Sequence, residues 1–480
     1  MATTVRSLLA AGLAVPLLWA AATAPASADA TAGWRTGVLA GGPGAAPGAI
    51  TGVDYTGPGG VHGVTGADGS FRYRGNWPVR FGVGQVELGH AKGAQLVTPF
   101  QLSGGAQCTI DEALTRELVF LEAVDGDRDP DNGISISAQT RARAAGVGPV
   151  RVSDLDDAAL TSLVRTVTGD ATATLPDAAA VLARFRDQVD GEQWTEKSVQ
   201  EFTGPADEMR QIYDMNEAGQ TPPVDMLNRQ EGLLRSQGVA TDGRSYVFSW
   251  QYGLTRTMTD ARQTVLTRNT LAIPPQIAAY GGNHIGDIDY HDGKIYAPIE
   301  DGDKPKGEIE YLHPFIAVYD AKTLRFTGEY HELPQNLHTQ GVPWVSVDAA
   351  RGVFYTAEWD DTKVLNVFDL HTFTLIRTVP LSQTLRRIQG AKVYHGMLYA
   401  FADIGASLPL YKIDPESGHV ITVHHVDISS SAGEGEGLVF LPRPDGTLLH
   451  TLDIAPDEVT TNFRNLALTK PSLRDQVCFS

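Results

Sequence analysis

Two cysteines in 480 residues, Cys108 and Cys478, exclude a disulfide-dense scaffold and any cysteine-rich zinc or iron–sulfur site. No stretch of about 20 uninterrupted apolar residues occurs, which excludes a membrane-spanning helix of ordinary length. Familiar enzyme signatures are missing as well. There is no Gly-x-Ser-x-Gly elbow, no His-Glu-x-x-His helix, no P-loop and no dinucleotide glycine fingerprint, so serine hydrolase, zincin and nucleotide-dependent chemistry are disfavoured. Positive charge is scarce too. With 38 Lys and Arg against 57 Asp and Glu, the formal charge is −19, and a surface of this sign repels nucleic-acid phosphates.

The N-terminus supplies a first positive statement. Arg6 precedes an apolar stretch from Leu8 to Ala22, interrupted by Pro16, that closes on Ala26-Ser27-Ala28. This order reads as a signal peptide over residues 1–28, cleaved after Ala28, and places the mature protein outside the cell. In an oxidising exterior two lone thiols are more often paired than free. A Cys108–Cys478 disulfide would close a long loop and contribute on the order of 4 kcal/mol, less any strain.

About 450 mature residues suit two or three domains. Residues 29–49, rich in Gly, Ala and Pro, read as a flexible lead-in. From Ile50 short alternating runs separated by glycines predict hairpins and a small β-sandwich over 50–137. Residues 138–235 read as a helical connector and linker, with helices near Asp154–Val167 and Asp177–Val189 whose first carboxylates suit N-cap positions, and with Tyr213–Asn228 as linker.

The run GVTGADGSFRYR, followed by VRFGVGQVELG, VTPFQL and DGDRDPDNGI, resembles an N-terminal accessory module of bacterial secreted proteins and lipoproteins, across about residues 50–137. The resemblance implies a non-catalytic module, here without a lipid-bearing cysteine. Within it Asp125, Asp127, Asp129 and Asp131 alternate as hard oxygen ligands do around calcium. The loop is not an EF-hand, because Pro130 replaces the turn glycine and Ile136 the twelfth-position Glu; a solvated turn is the alternative.

Residues 236–480 carry a repeat of about 50 residues: QGVATDGRSYVFSW, GDIDYHDGKIYAPIE, GVPWVSVDAARGVFYTAEW, QGAKVYHGMLYAFAD and EGLVFLPRPDGTLLHTLD. Two strands around an Asp-Gly or Gly turn, then two more, predict a β-propeller, with five blades the best fit. The last unit lacks a fourth strand, which the segment before Gln237 could lend. The whole chain is thus expected to be mainly β: a β-sandwich module, a helical connector and a C-terminal propeller.

In that geometry, residues at the start of each first strand and the end of each second strand converge on one channel mouth. These are Gln237, His284, Asp287, Gln340, Gln389, Glu434 and Glu436 from the first strands. Trp250, Glu300, Glu358, Trp359, Asp403 and Asp453 come from the second. Carboxylates with His338 or His284 could hold a metal or act as acid and base, and Glu300, Glu358 and Glu436 are the catalytic candidates. Indoles rimmed by polar groups suit a ligand without turnover equally well, and hydrogen bonding to exposed backbone is the bland alternative.

SQGVATDGRSYVFSWQYG, with Gln237-Gly238, Asp242-Gly243, Tyr246 and Tyr252-Gly253, is similar to the opening blade of plant-type glutaminyl cyclotransferases. That likeness implies a five-bladed propeller in which a channel carboxylate such as Glu300 or Glu358 moves a proton. The expected function is binding of an extracellular protein, peptide or glycan at the mouth; a propeller lyase, hydrolase or cyclotransferase is the alternative.

Overall fold

The computed structural model describes residues 33–479 apart from 42–47, 105–107, 130–131, 218–219, 303–309 and 429. The signal-peptide segment and Asp131 lie outside the described residues. No helix among the described residues is long and apolar enough to cross a membrane.

The N-terminal region joins a three-stranded sheet (Trp34–Leu39, Ser70–Arg74, Leu96–Val97) to a five-stranded one built around Asp54–Gly57, Pro78–Val83 and Val86–Lys92. Alternation does the sorting: in Ser70–Arg74 only Phe71 and Tyr73 are buried, and the Phe71 ring meets Tyr55 and Phe81 edge-on and Tyr73 tilted. Trp34–Leu39 corrects the reading of 29–49 as a flexible lead-in. It pairs antiparallel with Ser70–Arg74, and the glycine that made it look irregular is required, since a Cβ at Gly37 would lie 2.2 Å from the Ala94 carbonyl.

Helices Glu112–Ala123, Asp157–Thr168 and Ala178–Asp190 bury Leu118, Val164, Phe185 and Val189 in the same core as these strands, so the stretch read as a connector is half of one body. Each starts on an aspartate that accepts from a backbone N–H three residues on: Asp111, Asp156 and Asp177. Asp177 is the expected cap, whereas Asp154 ends a short 3₁₀ turn and leaves capping to Asp156.

Beyond this body lie five antiparallel sheets of four principal strands each. Their first strands are Gly238–Thr241, His284–Ile285 with Asp289–His291, Ser346–Asp348, Ile388–Tyr394 and Glu434–Phe440. Neighbouring first strands touch in chain order, and Glu434–Phe440 returns to touch Gly238–Thr241, which makes the contacts a ring. Two hairpins turn on adjacent positive-φ residues, Asp292-Gly293 and His395-Gly396, the geometry that matches strand twist.

The fifth sheet takes its outer strand from before the first: Gln193–Phe202 pairs antiparallel with Thr461–Lys470. This ten-residue strand lies inside the segment read as helical connector, where the charged sequence QWTEKSVQEF conceals an exposed edge. Cys108 and Cys478 form a disulfide, with Cα atoms 6.0 Å apart. Next to it, Arg474 of the terminal helix Leu473–Cys478 makes a two-pronged ion pair with buried Asp190, at 2.6 and 3.0 Å.

Candidate functional site

A cavity of about 430 Å³ opens at one end of the strand ring. Seven residues expected there line it: Gln237, His284, Glu300, Trp359, Gln389, Glu434 and Glu436. They arrive from first, second, third, fourth and fifth sheets because each stands within three residues of a strand end.

Three of them form a latch. The His284 ring nitrogens lie 2.8 Å from Gln237 Oε1 and 3.1 Å from Glu300 Oε1, while Glu300 Oε2 accepts from the Val342 amide at 2.6 Å. Gly341, at φ +87°, makes room for that carboxylate; a Cβ there would lie 2.3 Å from it. Glu300 is therefore satisfied by the protein itself.

Glu436 is not. It is 2% exposed, and no hydrogen bond reaches its carboxyl among the described residues. It stands where the pairing of Glu434–Phe440 with Leu449–Ile454 slips between Gly435 and Leu438, an irregularity that turns its side chain to the mouth. Gly435 and Gly437 on either side are packed too closely to bear side chains, with Phe401 and Leu408 against the first and Gly238 and Asp287 against the second. Burial, then the neighbouring carboxylates Glu434, Asp403 and Asp287, hold Glu436 well above the usual carboxylate range; Arg387 opposes them weakly.

The remaining expected residues do other work. Asp287 lies at the centre of the strand ring, fully buried, and a Cβ on any of Gly238, Gly390 and Gly437 would come within 2.8 Å of it. Its carboxylate accepts from Val239 N and pairs with the buried Lys392 ammonium, at 3.0 and 2.5 Å. Asp287 is thus matched within the protein and is absent from the cavity lining. Trp250 is 1% exposed and packs with Met209, Ile212, Leu233 and Val459 as core, so it forms no wall.

Gln340 and Glu358 fall outside the cavity lining, and Glu358 instead holds the Thr339 backbone and hydroxyl. Asp403 pairs with Arg387 and accepts from Gly435 N, and Asp453 pairs with Arg464. His338 is fully buried between the Pro334 carbonyl and the Thr356 hydroxyl, and burial lowers it to about 4. These departures share one cause: the repeat fixes how far along a strand a residue stands, while small shifts of register decide whether its side chain enters the channel, a neighbouring sheet or a loop.

Sequence reasoning missed Tyr213, Gln251, Tyr311, Arg387 and Glu458, all of which line the cavity. Tyr213 belongs to the helix Ala206–Glu217, which Met209 and Ile212 anchor on Trp250, in a region read as linker. An amphipathic four-residue spacing through Met209, Ile212 and Tyr213 was the available signal. Arg387 lies over the Trp359 ring, 5.3 Å from its centroid.

The aspartate string stays apart from this site. Asp125 Oδ1 accepts from Gly126 N and Ser135 N, Asp127 accepts from Asp129 N and Asn132 Nδ2, and Arg128 pairs with Asp170. Burial and Asp127 raise Asp125 to about 6. Among the described residues no three acidic, His or Cys side chains are placed to hold a metal ion.

No family model matches the chain, and no curated protein sequence matches it. Among solved structures it is similar to hydrazine synthase of Kuenenia stuttgartiensis, with 15% identity and a TM-score of 0.31, over 50% of this chain and 64% of that one. It is also similar to a gluconolactonase of Xanthomonas campestris, with 12% identity and a TM-score of 0.31, over 49% of this chain and 87% of that one. The chain thus spans less than two thirds of the hydrazine synthase chain.

Proposed function

We propose that the chain is a secreted five-bladed β-propeller protein, closed by the strand Gln193–Phe202 and carrying a β-sandwich accessory module, and that it binds an extracellular protein, peptide or glycan terminus in the mouth cavity. Support for the propeller is the ring of first-strand contacts together with a fifth sheet built from both ends of the repeat region. Support for secretion is the leader-like sequence ending at Ala28 and the Cys108–Cys478 disulfide.

One observation carries the binding reading: Glu436, buried and without a hydrogen-bond partner among the described residues, faces a cavity in which Glu300 is already held by the protein. A carboxyl so little exposed, given no partner by the described residues and reached from the cavity, is placed to meet a partner from outside. A cavity of this size suits a sugar or the end of a peptide rather than a large cofactor.

The same residue favours a second reading. A carboxyl held above its usual range by burial can serve as a general acid, and with Glu300 latched and Glu358 tied to Thr339, Glu436 is the acid free to move a proton in a cyclotransferase-like or lyase-like reaction. A thermal-shift screen of peptides, amino sugars and oligosaccharides tests both. Ligands should raise the melting temperature of the natural chain and lose that effect in Gln237→Ala/Trp359→Ala. With a ligand in hand, Glu436→Gln separates the readings: weakened affinity and no turnover in either form means binding, while retained affinity with abolished turnover means catalysis. Ligand shifts identical in both chains would refute a mouth site.

A further inference from the structure

Charge at the mouth is unevenly balanced. Glu300, Glu434, Glu436 and Glu458 line the cavity, against Arg387 and His284. Neither cation is at leisure: Arg387 pairs with Asp403 and lies over Trp359, and His284 bridges Gln237 and Glu300. The ammonium of Lys392, the nearest cation from below, belongs to Asp287. Tyr213, Tyr311 and Trp359 add aromatic surface to the same cavity. An acidic cluster alone would say little, but here one of its members is a carboxyl 2% exposed, directed at the cavity and without a hydrogen bond among the described residues.

We propose that the mouth cavity takes an organic cation, a primary ammonium group, which pairs with the Glu436 carboxylate while Tyr213, Tyr311 and Trp359 wall the apolar part attached to it. The N–H donors of an ammonium would satisfy the buried Glu436 carboxyl, and the rings would stabilise the charge through their faces. A metal ion is a poorer match, because no three ligating side chains converge among the described residues.

Arrival of the cation has a stoichiometric consequence. Burial, together with Glu434 on its own strand, Asp403 from the fourth sheet and Asp287 from the second, favours the protonated form of Glu436, against Arg387. A positive charge beside it reverses that balance, so the proton leaves the carboxyl oxygen for solvent as the ammonium–carboxylate pair forms.

This proposal rests on the mouth-binding reading, and one experiment separates their failures. The probes are 2-phenylethylamine, a primary ammonium at pH 7, and 2-phenylethanol, its uncharged counterpart, titrated calorimetrically in two buffers of different ionisation enthalpy. Expected are saturable binding of the amine, release of about one proton per bound amine, and at least tenfold weaker binding of the alcohol. In Glu436→Gln the amine should lose about tenfold or more in affinity, the usual worth of a charged hydrogen bond, and the proton release should vanish. Circular dichroism of the variant confirms folding, and Glu112→Gln, on the helix Glu112–Ala123 and outside the cavity lining, should retain proton release.

Equal binding of amine and alcohol, absence of amine binding, or amine binding unchanged in Glu436→Gln would overturn the cation assignment. If the alcohol binds and Gln237→Ala/Trp359→Ala abolishes it, the mouth reading survives that result. If binding of either probe ignores those mouth substitutions, both fall.

Discussion

Glu117 shows at the residue scale what burial does to a carboxyl that has no cavity to serve. It sits in the helix Glu112–Ala123 at 1% exposure, with Oε2 unpaired, and burial followed by Asp111 pushes it up to about 9 against the pull of Arg151. The folded state therefore holds a proton that the unfolded chain has lost above its ordinary value of 4.5. Between those limits the unfolded state binds fewer protons, so this group's contribution to stability falls as pH rises, by at most about 1.4 kcal/mol per pH unit. Denaturant melts from pH 5 to pH 8 should show Glu117→Gln gaining on the natural chain steadily with pH. A constant difference would mean that Glu117 is ionised in the fold. Glu436 obeys the same physics, but faces a cavity rather than the core, and that difference in place is what makes one a liability and the other a site.

Among elements, the first strands of the five sheets matter most, and their glycines explain why. Gly238, Gly390 and Gly437 crowd the Asp287 carboxylate, whose burial raises it to about 7 in spite of Lys392. Replacing one partner strands the other: Asp287→Asn leaves a buried ammonium without its counter-charge and should cost about 3–5 kcal/mol. Asp287→Asn/Lys392→Met should recover much of that loss in equilibrium unfolding. A double variant no more stable than the single one would show that the pair contributes more than mutual neutralisation.

Much of this was legible in the sequence at the level of elements. The five glycine-led repeats are the five sheets, and the missing outer strand of the last unit is supplied from before Gln237. Side-chain direction was less legible. Asp287 and Gln237 occupy comparable places in their repeats, yet one meets Lys392 below and the other meets His284 at the mouth. Non-local partners decide that outcome, and no periodicity carries them. The helix Ala206–Glu217 stayed hidden for a related reason: prolines and glycines beyond it made the whole stretch resemble a linker, while its value lies in packing on Trp250.

On the scale of the whole molecule, two bodies share one chain at three places. The strand Gln193–Phe202 leaves the N-terminal core to complete the fifth sheet, the terminal helix returns to that core through Leu473, and the disulfide fixes it there. Buried Glu192 reinforces the junction, accepting from Lys412, Trp194 and Tyr399 of the sheet region. The mouth stands away from these joints, bounded by sheet ends and by the helix that carries Tyr213. A site built on strand ends that are hydrogen-bonded into sheets leaves less ordering to oppose binding than one built on loops.

Amide hydrogen exchange, with and without the ligand that most raises the melting temperature, tests the central claim most directly. The account predicts added protection at residues 211–213, 284–285, 386–390 and 434–437, where the cavity wall is built. Protection confined to the N-terminal sheets, or to outer strands such as Gln193–Phe202, would place binding elsewhere and contradict it.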